Sequence, residues 1–105
     1  MDKIKVVIKE PGKAAREIEI ENTLERIQKL VGGYVETLWF AKNVWMIVNE
    51  EGKIRDLPFN FYVWDDLVVG TALFVGQDGD ELADCPISAE TIERILGNGG
   101  DHGQG

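Results

Sequence analysis

Ile4, Val6 and Ile8 alternate with Lys3, Lys5, Val7 and Lys9 along the first stretch of the chain. A two-residue period with one apolar face predicts a strand over residues 3–10. Pro11-Gly12 follows; proline presets φ and glycine accepts positive φ, so the chain turns there. Residues 14–20 alternate again, with Ile18 and Ile20 on one face and Glu17 and Glu19 on the other. The two stretches together predict an N-terminal hairpin.

The period then changes. Leu24, Ile27, Leu30 and Val31 form one stripe at helical spacing within residues 22–33. Asn22 is placed to cap the helix, and Glu25, three residues later, completes a capping-box pattern. Gly32 suits the left-handed closing position, and Gly33 lets the chain turn away. Residues 34–41, YVETLWFA, return to aromatic and β-branched strand composition. Lys42-Asn43 is a two-residue turn, and VWMIVN at 44–49 is apolar enough for a strand covered on both faces. Glu50-Glu51-Gly52 predicts a three-residue hairpin loop with Gly52 left-handed, returning as a short strand over Lys53–Leu57.

Residues 58–66, PFNFYVWDD, do not resolve into one element, because Pro58 argues against a central strand at that point. Residues 67–76 predict a buried strand in which Gly70 marks a bulge or a close backbone approach. Asp78-Gly79 is a hairpin-turn dipeptide, with 81–85 as the returning strand. Pro86–Leu96 predicts a second helix, capped by Ser88, with Ile92, Ile95 and Leu96 as its apolar stripe and Gly97 as its end. GNGGDHGQG at 97–105 has no apolar anchor and predicts a disordered tail. Strands and helices do not alternate regularly. The expectation is therefore one α+β domain over residues 3–96, with a mostly antiparallel sheet of about five to seven strands and two helices in the order ββα-ββββ(β)-α.

Composition narrows the chemistry. The chain has 105 residues and a net charge of −8, which excludes a generic basic nucleic-acid binder. One cysteine, Cys85, excludes an internal disulfide and cysteine-rich zinc sites. One histidine, His102, lies in the glycine-rich end. No apolar run approaches the roughly 20 residues of a membrane span, and MDKIKVVIKE places charges inside its apolar segment, unlike a signal peptide. The charge is lopsided along the chain. Residues 1–55 hold ten cations against nine anions, leaving +1; residues 56–105 hold one cation, Arg94, against ten anions, leaving −9. Such a half either keeps a small protein dissolved or meets a basic partner, for instance a protein that grips DNA.

No motif carries catalysis. Gly32-Gly33 follows a helix and precedes a strand, the reverse of a phosphate-binding loop. Asp78–Asp84 superficially suggests a calcium loop, but Leu82 and Ala83 occupy a ligand and the glycine position. Asp84 beside Cys85 disfavours a thiolate. Asp65-Asp66 and Glu50-Glu51 are adjacent, so on a strand each pair points to opposite faces. No catalytic residue, cofactor or metal is expected.

The aromatics are the most informative side chains left. Eight of nine lie between 34 and 64: Tyr34, Trp39, Phe40, Trp45, Phe59, Phe61, Tyr62 and Trp64. If 59–64 is extended, Phe59, Phe61 and Val63 face one way and Tyr62 and Trp64 the other. One of those faces packs in the core or forms the surface of a partner complex or a homodimer.

A family resemblance rests on several segments. They are Glu10-Pro11-Gly12-Lys13, the run Ile20–Glu36 with its Gly32-Gly33-Tyr34, Asn49–Lys53, Leu57-Pro58, Gly70–Gly76 and the closing Thr91–Leu96. They resemble the domain of unknown function 3846 family over nearly all of residues 3–96. The family's pattern places a basic residue after Asn60, where this chain has Phe61. The resemblance supplies no catalytic residues. It implies a cytoplasmic accessory protein of phages, plasmids and conjugative elements, mainly of Gram-positive bacteria.

The functional expectation is a non-enzymatic protein that binds a host or element-encoded protein, with no direct nucleic acid or membrane contact. Counter-defence or mimicry of DNA would fit such a role. Phe59, Phe61, Tyr62 and Trp64 would anchor the contact, and Asp65, Asp66, Asp78 and Asp80 would meet basic groups. The alternative is a protein that sequesters a small molecule or nucleotide, using cations among Lys3, Lys5, Lys9, Lys13, Arg16, Arg26 and Lys29.

Overall fold

The computed structural model describes residues 2–99. The elements run β1 (Lys3–Lys9), β2 (Arg16–Glu21), α1 (Leu24–Val31), β3 (Val35–Ala41), β4 (Val44–Asn49), β5 (Phe59–Val63), β6 (Asp66–Val69), β7 (Ala72–Asp78), β8 (Glu81–Ala83) and α2 (Ala89–Gly99). The main sheet is six-stranded and antiparallel, in the order β2-β1-β7-β4-β3, with β8 also paired to β7. β5 and β6 form a separate two-stranded sheet. This is the α+β domain with a mostly antiparallel sheet that the residue pattern predicts.

Alternation sends each inner strand's residues to two cores. Ile4, Val6 and Ile8 of β1, Ile47 of β4, and Leu73 and Val75 of β7 pack with Ile27 and Val31 of α1. On the opposite face, Val7, Met46, Val48 and Phe74 pack with Phe61 and Val63 of β5, Val68 of β6, and Ile92 and Leu96 of α2. So α1 covers one face, while α2 and the β5–β6 hairpin cover the other. Burying both faces explains why VWMIVN reads as a continuous apolar run.

β8 lies where β1 and β7 diverge. β1 pairs with β7 only through Val7–Lys9, and β8 then pairs with Gly76–Asp78. Beyond β8 the chain crosses to β1, where Lys5 N donates to Asp84 Oδ1 at 2.8 Å and Cys85 N to Lys5 O at 2.8 Å. A Cβ at Gly76 would collide with the Asp84 carbonyl oxygen, so the crossing requires glycine there.

Several local expectations change. Thr23, not Asn22, caps α1, accepting from Arg26 N at 3.1 Å. Asn22 instead donates to Leu82 O at 3.1 Å, a distant acceptor that only the fold supplies. Residues 53–57 are not a strand. After β4 the chain makes a helical turn, with Arg55 N donating to Glu51 O and Leu57 N to Gly52 O. Asp56, rather than Gly52, takes the left-handed φ, at 58°. The buried Asn49 redirects the chain by donating to Val31 O and accepting from Glu51 N. The predicted strand 67–76 is two strands in different sheets, broken at Gly70, where φ is 76°. α2 runs on to Gly99, past the end expected at Gly97. The rest of the expected tail, 100–105, lies outside the described residues. Among those described, no helix is long and apolar enough to cross a membrane.

Candidate interaction surface

The stretch that resisted assignment from sequence becomes β5, the turn Trp64-Asp65, and β6. Register decides which rings face out. Phe59 pairs with Val69, but Phe61 pairs with Val68, so an extra residue, Asn60, is inserted between them. Such a bulge moves everything before it to the opposite face. Phe59 therefore shares a face with Tyr62, with ring centroids 5.2 Å apart. Phe61 turns inward, retains 7% exposure and lies 6.2 Å from Phe74. This corrects two expectations. Phe59 and Phe61 do not share a face, and Phe61 is a core residue rather than a surface anchor.

The bulge has a polar cause. Asn60 is buried and donates to Gly70 O at 2.7 Å and Lys9 O at 2.8 Å, while Lys9 Nζ donates to its Oδ1 at 3.0 Å. These bonds fasten the hairpin to the end of β1 and to Gly70.

The outward surface consists of Phe59 and Tyr62, 53% and 57% exposed, with Leu67 paired opposite Tyr62. Trp64 stands at the turn with φ 55°, a conformation costing a bulky residue about 1–2 kcal/mol. It is held by its Nε1 donating to Phe40 O at 3.0 Å and by ring contacts with Trp39 and Phe40 at 6.3 and 6.0 Å. Trp39 itself is exposed; the sequence places it among the clustered aromatics but not among the anchors, because its contact with Trp64, 25 positions away, is supplied by the fold.

Asp65 and Asp66 are exposed at the β5–β6 turn, beside these rings. Asp78 and Asp80 are exposed at the β7–β8 turn. Both turns emerge at one end of the sheet. Trp64 reaches Phe40 next to the β3–β4 turn, and the pairing of Trp45 with Val75 brings the end of β7 to that same turn. The C-terminal half of the sequence is nonetheless not a spatial half. β7 lies between β1 and β4, and two of the anions bind backbone internally: Asp84 at Lys5 N and Glu93 at Ala15 N, 2.6 Å. Asp2, Asp78, Glu81 and Asp84 border a shallow depression of about 320 Å³ with Lys3. Among the described residues, no group of three or more such side chains is placed to hold a metal ion.

The cations that a nucleotide would need are dispersed. Lys3, Arg26 and Lys29 line an open groove between α1 and β2, but Glu19, Glu21 and Glu25 line it too. Arg16 and Lys13 engage Glu10 at 2.8 and 3.9 Å, and Lys9 holds Asn60. The Arg16 hydrogen bond holds the Glu10 carboxyl below its usual range. Burial pushes the Cys85 thiol up, so it is a poor nucleophile where it sits.

The fold and surface define an α+β domain that presents a ring-lined hairpin beside acidic turns. The match to Domain of unknown function (DUF3846) covers residues 4–98, and the chain belongs to that family. No curated protein and no solved structure matches the chain.

Proposed function

We propose that this chain is a non-enzymatic cytoplasmic accessory protein of a phage or mobile element that acts by binding a host protein. The contact would be made by Phe59, Tyr62, Trp64 and Leu67, with Asp65, Asp66, Asp78 and Asp80 engaging basic groups of the partner. Occluding a basic surface in this way would suit a counter-defence or DNA-mimicking role. One observation carries the reading. The Phe59–Tyr62 ring pair is turned outward by a bulge that three hydrogen bonds at Asn60 hold in place. Two adjacent exposed rings form an apolar surface of the kind that marks interaction sites, and aromatic residues dominate binding hot spots.

The test is capture of a partner from host lysate with tagged protein. Phe59→Ser with Tyr62→Ser should abolish it, and raising salt should weaken it, because exposed charges are screened over about 8–10 Å at moderate ionic strength. Retention that survives both the ring substitutions and reversal of the four aspartates to lysine would refute the reading. Sequestration of a nucleotide is not favoured, because the groove's three cations face three glutamates.

A further inference from the structure

The outer strand β3 has one side bonded to β4 and one side open. Glu50 N donates to Tyr34 O at 2.8 Å, in the same register that pairs Glu36 with Val48 and Leu38 with Met46. Antiparallel strands alternate bonded and non-bonded pairs. Residues 34, 36 and 38 therefore point their N–H and C=O groups at β4, and Val35, Thr37 and Trp39 point theirs outward. Among the described residues, nothing bonds those three outward pairs of groups. The open stretch ends at Phe40, whose carbonyl the Trp64 indole occupies. Proteins usually guard an edge of this length with lysine, proline or a bulge. Over Val35–Trp39 there is a single charge, Glu36, no proline, and no register shift until after Trp39.

We infer that β3 pairs antiparallel with β3 of a second copy of the chain about a two-fold axis at Thr37, joining two sheets into one. The register and the flanking apolar groups select a second copy as the occupant. In this register Val35 faces the other copy's Trp39, a favourable aromatic and β-branched pair, and Thr37 faces Thr37. Glu36 falls opposite Leu38, so no like charges meet. Each outward pair exchanges two backbone bonds. Exposed apolar groups flank the edge as well: Trp39 on the strand, and Ile54 and Leu67 lining the cleft beside Leu38. This pairing is independent of the ring pair at Phe59 and Tyr62, and the two readings can fail separately.

The experiment is light scattering or sedimentation of the full chain at about 100 µM, where a micromolar dissociation constant leaves most chains paired. The expected mass is twice 11.7 kDa. Thr37→Lys alone, and Thr37→Glu alone, should each give monomers, because each puts like charges face to face on the axis. An equimolar mixture of the two should recover the dimer. The Thr37 side chain is exposed, so both variants should keep the wild-type circular dichroism spectrum. A monomeric wild type overturns the proposal, whether or not a foreign extended peptide then protects the β3 amides. So does a dimer that both variants retain, or a mixture that stays monomeric.

Discussion

The two outer strands of the main sheet meet their surroundings differently. β2 carries Arg16, Glu17, Glu19 and Glu21, and α2 is tied alongside it by Glu93 accepting from Ala15 N and Glu17 accepting from Ala89 N at 3.4 Å. β3 carries Glu36 alone over its open stretch, and the hairpin beside it touches it through the Trp64 indole at one end. One edge is charged and strapped, which discourages another strand from adding to it. The other is apolar, with unpaired backbone. A small acidic protein gains solubility from its net charge, so an unguarded edge persists best where something covers it. The exposed Trp39 lies on β3 itself, with Trp64 and Leu67 beside that strand.

The largest expected effect comes from loosening the hairpin beside β3. Asn60→Ala removes the amide donor to the Lys9 and Gly70 carbonyls and the acceptor for Lys9 Nζ. A loss of about 3 kcal/mol is expected from stranded buried polar groups. Hydrogen exchange should speed up in β5 and β6 while the β1–β2 amides stay protected. Uniform loss of protection across both edges would show that the hairpin is not a separately anchored unit.

A smaller effect is expected on the guarded side. Glu93→Ala removes the carboxylate that Ala15 N donates to. The expected loss is about 1–2 kcal/mol for a charge-assisted bond that is only partly buried, read as a lower urea midpoint with an unchanged slope. Oligomeric mass should not respond; a variant that associates more strongly would mean that Glu93 also keeps the β2 edge closed.

The smallest effect is electrostatic. Glu10 and Arg16 lie where β2 begins, with Arg16 Nη1 2.8 Å from Glu10 Oε1. The Arg16 hydrogen bond holds the folded-state pKa of Glu10 below its ordinary 4.5. A depressed carboxyl stabilises the fold above the unfolded value and loses that contribution as pH falls through the folded one. The pair is surface-exposed, so the contribution is small. The stability gap between wild type and Glu10→Gln, measured by urea titration at several pH values, should close as pH falls below 4.5. A gap that does not change with pH would separate the pair from stability altogether.

What local chemistry decides was legible in the residues. The buried Ile27 and Val31 of the α1 stripe and the left-handed Gly32, with φ 87°, follow from helical spacing and glycine's freedom, whereas Leu24 of the same stripe is exposed. The turn at Lys42-Asn43, with Asn43 at φ 63°, and the Gly79 turn, at φ 64°, follow in the same way. So does the Ser88 cap, whose Oγ accepts from Thr91 N at 3.1 Å. The α+β class came from the order of such segments. Which of Phe59, Phe61 and Tyr62 would reach solvent was decided elsewhere. A two-residue period fixes faces only until one residue is inserted, and the insertion at Asn60 depends on carbonyls of Lys9 and Gly70 that arrive from other strands. The break at Gly70, the helical turn after Asn49 and the openness of β3 are likewise set by neighbours distant in sequence. The same holds for charge: the nine described carboxylates of the C-terminal half of the sequence are redistributed once β7 enters the centre of the sheet, because sequence order constrains position only where hydrogen bonding is local.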